Sequence, residues 1–556
     1  MILRPIHREP LLFLVLILLG SISPIATHLL TEATLKRYIV YSLCINTFEA
    51  YLICCLLQYV SNRRVRIVIK TVLYIVYGIF ALVKSGCPAI LKERFDIDHL
   101  LLMLETNSTE ATGFFKTYMN FKAVEVWCVI LLAIAYIAMM IRHIRKKGGL
   151  SPILRTMTAA IVAIMLAGGA VMAYDLSKGL IMSSEEKRIS GYDLAKHYYA
   201  DPLFSSLDLY QDYQFIFQGI GKWEALQQKA LIRPLQTDST RDFHIVVVIG
   251  ESFIRDHSSL YGYPLPTNPL LQKERDKGNL IVFDDMTSPA NLTTSSIRNT
   301  LNLNDMSSGE EWSDGIYFPA LLKRGGWKVY HYDNQTIDKT KDAGLGRVLF
   351  SDFNVAHVLD GRSDRSFPLD MPYVGYTEEK LRRHEEGKSL VIYHLLGQHF
   401  PARMYYDGEA VFTPADIKKS GLSAEERQEI ADYDNATLYN DRVVARILDS
   451  WRGKRAVVFY FSDHGESLPD SGSTKARVSS RATDRNVVRQ QFHIPFMVWI
   501  SDSFKRDYPE LGADLERASH RPGTTDRLGW MILGISGIRG EYYHAERDQS
   551  SSRYRP

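Results

Sequence analysis

The chain changes character near residue 175: before it apolar residues run in long blocks, and after it they come in short runs separated by charged and turn residues. A helix needs ~20 mostly apolar residues to cross the hydrocarbon of a bilayer. Five blocks come close, at residues 11–30, 38–60, 67–83, 124–141 and 153–174, of which the third is the shortest. The first lacks a small-residue cleavage site and is followed at once by further blocks, so it reads as a span and not as a cleaved leader. The pattern predicts an N-terminal bundle of five transmembrane helices over residues 1–175.

Beyond residue 243 the short runs at 243–249, 280–283, 327–332, 390–395, 456–461 and 496–500 are rich in β-branched and aromatic residues. Helical patterns such as 318–323 and 435–451 lie between them. Alternation of this kind predicts an α/β domain, a mostly parallel sheet flanked by helices on both faces, over residues 241–545. Ligands of such sheets bind at the carboxyl ends of the strands. Residues 176–240 mix aromatics, among them Tyr198, Tyr199, Phe204 and Trp223, with charged residues. They read either as helices lying along the membrane interface or as a linker packed on the following domain. The tail 546–556, rich in Arg and Ser, reads as flexible.

Basic residues in the short loops set the orientation. Arg4 and Arg8, then Arg63, Arg64 and Arg66, then Arg142, Arg145, Lys146 and Lys147 mark the cytoplasmic side, against the smaller counter-signal of Lys36 and Arg37. Five crossings from an inside N-terminus put everything after Tyr174 outside, which in a bacterium is the periplasm or the outer face of the membrane. Of the charges that interrupt the blocks, Glu49, Glu125 and Arg155, the last two lie near block ends and can reach the interface. The loop 84–122 carries His99, Glu105, Asn107 and Glu110 and is expected to fold over the membrane surface and meet a lipid headgroup.

Net charge is only +3, from 66 basic against 63 acidic residues, so no global field points to nucleic acid as a partner. All five cysteines (Cys44, Cys54, Cys55, Cys87, Cys128) precede the α/β domain, which therefore holds no disulfide. A domain of this size has an ample core without one, so cysteine usage leaves the compartment open.

The candidate chemistry follows the strands. The first runs into Gly250, Glu251 and Ser252, and the fifth into Ser462, Asp463, His464, Gly465 and Glu466. Glu251, Asp463 and His464 form a mixed oxygen and nitrogen set suited to zinc or a similar divalent ion. The stretch 288–296 is dense in hydroxyls, one of which is expected to cap the helix leading to Leu301. A hydroxyl held on a divalent cation loses its proton readily and becomes a nucleophile.

The strings VVVIGES from Val246, SLYGYPLPTNP from Ser259, HLLGQH from His394, YDNATLYND from Tyr433 and YFSDHGES from Tyr460 resemble the phosphoethanolamine transferases, inner-membrane members of the alkaline phosphatase and sulfatase superfamily. The resemblance covers nearly the whole chain. It implies zinc, as one or two ions, held by Glu251, Thr293, Asp463 and His464, with Thr293 as nucleophile, Thr294 as its competitor, and His399 near the transferred phosphate. It further implies phosphatidylethanolamine as donor, lipid A or core sugars of lipopolysaccharide as acceptor, and a periplasmic catalytic domain. Related phosphoglycerol transferases, hydrolases of the same superfamily and a catalytically silent lipopolysaccharide-binding protein are the alternatives. Residues 288–300 contain no Cys and no Cys/Ser-x-Pro-x-Arg arrangement, which sets the site apart from sulfate-ester chemistry. Two departures stand out: the domain lacks the relatives' disulfides, and 468–491 contains no histidine. That leaves His493 as the nearest substitute, equally suited to packing, with Lys475 and Arg477 as other groups suited to phosphate oxygens.

Overall fold

The computed structural model describes residues 2–30, 36–91, 121–182, 199, 202–230, 232–335, 357–359, 367–382, 387–471 and 485–556. His99, Glu105, Asn107, Glu110, Tyr198, Lys475 and Arg477 lie outside them. The chain forms two compact units, Met1–Phe215 and Ile216–Pro556, dividing within the expected connecting segment.

The first unit contains α1 (Leu3–Arg8), α2 (Pro10–Gly20), α3 (Ile22–Leu30), α4 (Lys36–Leu57), α5 (Arg63–Leu91), α6 (Phe121–Lys146) and α7 (Pro152–Ile181). The last four are each long and apolar enough to cross a membrane, and the bent pair α2 and α3 makes a fifth span if taken together. The break between them, with a bend of 43°, departs from the unbroken first block. Pro24 supplies the cause, since it has no N–H to offer the preceding turn. The shortest block, 67–83, is the core of a helix of 29 residues, because its charged ends remain helical. Leu131, Leu132 and Ile164 are exposed, an apolar exterior that water would disfavour and lipid accepts. Helices α4 and α7 approach closely at Gly169, where a Cβ would stand 2.5 Å from the Cys44 carbonyl oxygen. Glu49 is buried and accepts a hydrogen bond of 2.5 Å from the Tyr77 hydroxyl, whereas Glu125 and Arg155 are exposed near helix ends.

Helix α8 (Pro202–Ala230) passes from one unit into the other. Ile220, Trp223, Gln227 and Ala230, spaced three to four apart, are buried on one face in the second unit. The Trp223 indole N–H donates to Asn302 Oδ1 at 2.7 Å, and the Gln227 amide bonds Gly315 O and Tyr317 N. This half of the segment is thus packed on the α/β domain.

The sheet of that domain has seven strands: β1 (His244–Gly250), β2 (Leu280–Val282), β3 (Lys328–Asp333), β4 (His357–Leu359), β5 (Ser389–His394), β6 (Ala456–Ser462) and β7 (Phe496–Ile500), in the order β2-β7-β6-β1-β5-β3-β4. Strands β6, β1, β5, β3 and β4 are parallel, while β7 is antiparallel to both β6 and β2, so the sheet is mixed. Alternation along β1 sends Ile245, Val247 and Ile249 into one apolar core and Val246 and Val248 into the other. The first core is covered by α10 (Thr293–Leu301), α11 (Phe318–Arg324), α16 (Pro509–Ser519) and α17 (Leu528–Ser536). The second lies under α9 (Pro269–Asp276), α12 (Asp370–Leu381) and α13 (Ala424–Trp451). Two short helices, α14 (Arg485–Phe492) and α15 (Asp502–Asp507), flank β7.

The tail is packed, contrary to the flexible reading. Asp548 and Gln549 are buried, Arg521 Nη1 donates to Gln549 O at 2.9 Å, and the Tyr554 hydroxyl donates to Pro522 O at 2.9 Å. Hydrogen bonding offsets the polar composition that made this segment look solvated.

Candidate metal centre

β1 lies between β5 and β6 at the centre of the sheet, where the chain order reverses, and such switch points open a crevice at the strands' carboxyl ends. Register does the rest: Gly250 of β1 pairs with Ser462 of β6, so the residues that follow, Glu251 and Asp463, leave the sheet side by side. The backbone locks this, with Asp463 N–H donating to Gly250 O at 3.0 Å and Ser252 N–H to Asp463 Oδ1 at 3.2 Å. Ser252 is a non-glycine residue at φ 58°, an uncommon conformation held by its surroundings, and its hydroxyl donates to Glu251 Oε1 at 2.7 Å.

Glu251, Asp463 and His464 are fully buried and offer one ligand atom each, all within 4.8 Å of one another. His464 Nδ1 stands 2.6 Å from Gly465 O, an arrangement that places the ring proton on Nδ1 and leaves the Nε2 lone pair inward. That nitrogen lies 3.1 Å from Asp463 Oδ2 and 3.4 Å from Glu251 Oε1. Two carboxylates and an imidazole lone pair thus converge where solvent does not reach their side chains, a donor set that fits a divalent cation and that would be costly without positive charge.

Thr293, the first residue of α10, is half-buried, and its Oγ1 lies 3.1 Å from Glu251 Oε2 and 3.2 Å from His464 Nε2. Its hydroxyl therefore sits at a helix N-terminus, where the peptide dipoles favour negative charge. Thr294 is buried on the next step of the helix. Ser288 and Ser296, at the two ends of the hydroxyl-rich stretch, both donate to Asp463 O, tying the stretch to the loop that carries Asp463 and His464.

Gln335, which sequence reasoning passed over, donates from Nε2 to Glu251 Oε2 at 2.8 Å and to Leu395 O at 3.1 Å. Its position two residues past the end of β3 was the available signal. The loop after β5 presses on Glu251 from the other side. Gly397, at φ 50°, leaves only 2.7 Å between a hypothetical Cβ and Glu251 N, and Gln398 N–H donates to Glu251 O at 3.0 Å.

His399, next in that loop, is half-buried, with Nδ1 2.9 Å from Phe400 O and its ring 5.5 Å from that of Tyr405. Its described contacts do not include Thr293, Glu251, Asp463 or His464. His394 is a buried histidine within β5, 3.1 Å from Asp333 Oδ2; burial works against its charge, but the Asp333 carboxylate overrides this and raises its pKa. His493 stands 3.2 Å from Asp285 Oδ1, and burial lowers its pKa.

A central, mostly parallel sheet with an acid, imidazole and hydroxyl cluster at its strand ends fits the alkaline phosphatase and sulfatase type of domain that the sequence motifs imply. Residues 244–538 match the family described as Sulfatase, and the chain belongs to it. Phosphoethanolamine transferase EptC of Escherichia coli is 26% identical over 436 residues, covering 76% of this chain and 73% of the relative. The crystal structure of the C-terminal periplasmic domain of EptC, in complex with zinc, superposes with a TM-score of 0.51 at 25% identity, covering 58% of this chain and 91% of that one. The Kdo(2)-lipid A phosphoethanolamine 7″-transferase of E. coli is 24% identical over 400 residues, 66% of this chain and 63% of the relative. The integral membrane protein lipooligosaccharide phosphoethanolamine transferase A of Neisseria meningitidis shares the fold over 99% of both chains, with a TM-score of 0.63 at 19% identity.

Proposed function

We propose that the protein is a metal-dependent phosphoethanolamine transferase of the bacterial inner membrane. It moves phosphoethanolamine from phosphatidylethanolamine to lipid A or core sugars of lipopolysaccharide through a phosphothreonine intermediate on Thr293. The observation that carries this reading is the Thr293 hydroxyl, 3.1 Å from Glu251 Oε2 and 3.2 Å from His464 Nε2 at the start of α10. A relative named for transfer to lipid A, and the apolar anchor of four long helices and a bent pair, support the substrate class.

Glu251, Thr293, Asp463 and His464 are the residues that would hold zinc, which when bound supplies a lowered hydroxyl pKa and positive charge against the phosphoryl oxygens. Thr293 Oγ1 points its proton at Glu251 Oε2, which leaves its lone pairs free for attack on phosphorus. The α10 N-terminus favours the charge that develops there. The first displacement forms the Thr293–phosphorus bond as the Thr293 proton passes to Glu251 Oε2, and breaks the bond to the diacylglycerol oxygen, which takes a proton from His399. In the second, an acceptor hydroxyl gives its proton to His399 as its oxygen attacks the same phosphorus, and Thr293 leaves, taking its proton back from Glu251.

The test is transfer itself. Purified protein incubated with phosphatidylethanolamine labelled in its ethanolamine, and with lipid A, is expected to place label on lipid A, and Thr293→Ala to place none. Diacylglycerol release with no labelled acceptor would point to a hydrolase, and no release at all to a binding role.

A further inference from the structure

Besides Thr293 on α10, the proposed metal ligands come from two loops, one after β1 and one after β6, and a buried array beyond them joins those loops to each other. Tyr433 and Asp434 are consecutive residues of α13. The Tyr433 hydroxyl donates to Ser252 O at 2.6 Å and accepts from Ile254 N–H at 2.7 Å, so one phenol grips both sides of Phe253, two residues from Glu251. Phe253 N–H in turn donates to Ser462 Oγ at 2.7 Å, and Ser462 Oγ to His464 O at 2.7 Å.

Further along the β1 loop, His257 is buried at 1% exposure between two carboxylates, with Nδ1 2.8 Å from Asp434 Oδ1 and Nε2 3.1 Å from Asp470 Oδ2. Both ring nitrogens face carboxylate oxygens, an arrangement a doubly protonated ring satisfies, so the ring bridges them as a cation. Asp434 also accepts from the Tyr263 hydroxyl at 2.8 Å. Asp470 belongs to the β6 loop, and its other oxygen accepts from Gln490 Nε2 at 3.1 Å, while Gln490 Oε1 accepts from Leu468 N–H at 3.1 Å. The imidazolium thus joins the Glu251 loop, α13 and the Asp463 loop in one buried contact.

We infer that the Tyr433–Asp434–His257–Asp470 array is a positioning device that fixes the spacing of Glu251 from Asp463 and His464, and with it the affinity and coordination geometry of the metal centre. Groups that orient metal ligands without touching the ion change affinity when altered, and here one array holds both ligand loops. The inference rests on the metal-site reading above, but its readout needs neither lipid substrate.

The test uses full-length protein in detergent, stripped of metal, with His257→Gln and Tyr433→Phe as variants and far-ultraviolet circular dichroism to verify folding. Zinc affinity is measured by competition with a chromophoric chelator, and coordination by the visible spectrum of the cobalt-loaded protein. Each folded variant is expected to bind zinc ~10–100-fold more weakly, the range for groups that orient ligands, and to give an altered cobalt spectrum. Tyr433→Phe carries the test alone if His257→Gln does not fold. Folded variants that melt earlier but keep wild-type zinc affinity and cobalt spectrum would overturn the inference and leave the array a structural feature only. Wild-type protein that binds no zinc would overturn the metal-site reading as well, and wild-type protein that binds zinc and shows the affinity difference from its variants, yet transfers nothing between lipids, would overturn only the proposed reaction.

Discussion

Thr293 and Thr294 are adjacent and chemically identical, and only the phase of a helix separates them. The turn of α10 begins at Thr293, so that hydroxyl reaches Glu251 and His464 while its neighbour is carried into the domain interior. The hydroxyls of this stretch suggest a helix cap or a nucleophile, but α10 starts after Leu292 with no side-chain cap, and which hydroxyl faces Glu251 depends on one backbone step. His257 was invisible for a related reason: its role comes from Asp434 and Asp470, which are 177 and 213 residues away. Its environment makes a prediction about pH. Burial opposes the charge, but Asp434 and then Asp470 override it and raise the pKa to about 10. Tyr263 and Gln490 bond the two carboxylates, Lys419 donates to the Asp470 backbone oxygen, and the Tyr433 ring stands 5.3 Å from the imidazole. A folded value above the unfolded one means the ring's stabilisation is complete below the ordinary histidine pKa and drains away as pH rises toward the folded value. Thermal melts of metal-free protein should therefore show stability falling from pH 7 to 10, with a flatter dependence for His257→Gln. Parallel slopes would count against a bridging imidazolium.

At the scale of elements, the site is a consequence of strand register. Pairing Gly250 with Ser462 is enough to bring the loops of Glu251 and of Asp463 and His464 together, and the strand ends that carry them are legible as apolar runs meeting Glu251 and Asp463. Direction is less legible: a buried run such as Phe496–Ile500 is equally apolar whichever way it lies, so β7 and β2 did not announce themselves as antiparallel to each other. β4, three residues long, carries too little pattern to register. The tail misleads because its polar side chains are buried by hydrogen bonding. Gln549 Nε2 donates to Arg521 O at 2.7 Å and lies 3.4 Å from the sulfur of Met286, just before the hydroxyl-rich stretch. Gln549→Ala leaves buried groups without partners and should destabilise the domain by ~1–3 kcal/mol, seen as a lower melting temperature. An unchanged melt would mean that the tail is only loosely held.

At the scale of the molecule, the division into an apolar anchor and an α/β domain is written in hydropathy, and the five blocks all become helix. What hydropathy misses is the bend at Ser21, because a proline alters geometry without altering apolar content. Orientation rests on the basic loops, and the cysteine distribution makes it testable. With the five native cysteines replaced by serine, Ser552→Cys adds a lone thiol at an exposed position of the tail. A membrane-impermeant maleimide should label it in spheroplasts before lysis; labelling only after lysis would place the domain in the cytoplasm and remove it from its proposed substrates.

The central claim is that Thr293 carries the phosphoryl group between donor and acceptor. Zinc-loaded full-length protein should be incubated with phosphatidylethanolamine and no acceptor, digested, and mapped by mass spectrometry. A phosphoethanolamine adduct on Thr293, absent from Thr293→Ala, is the predicted result. Diacylglycerol release with no adduct, or an adduct on another residue such as Thr294, would contradict the account.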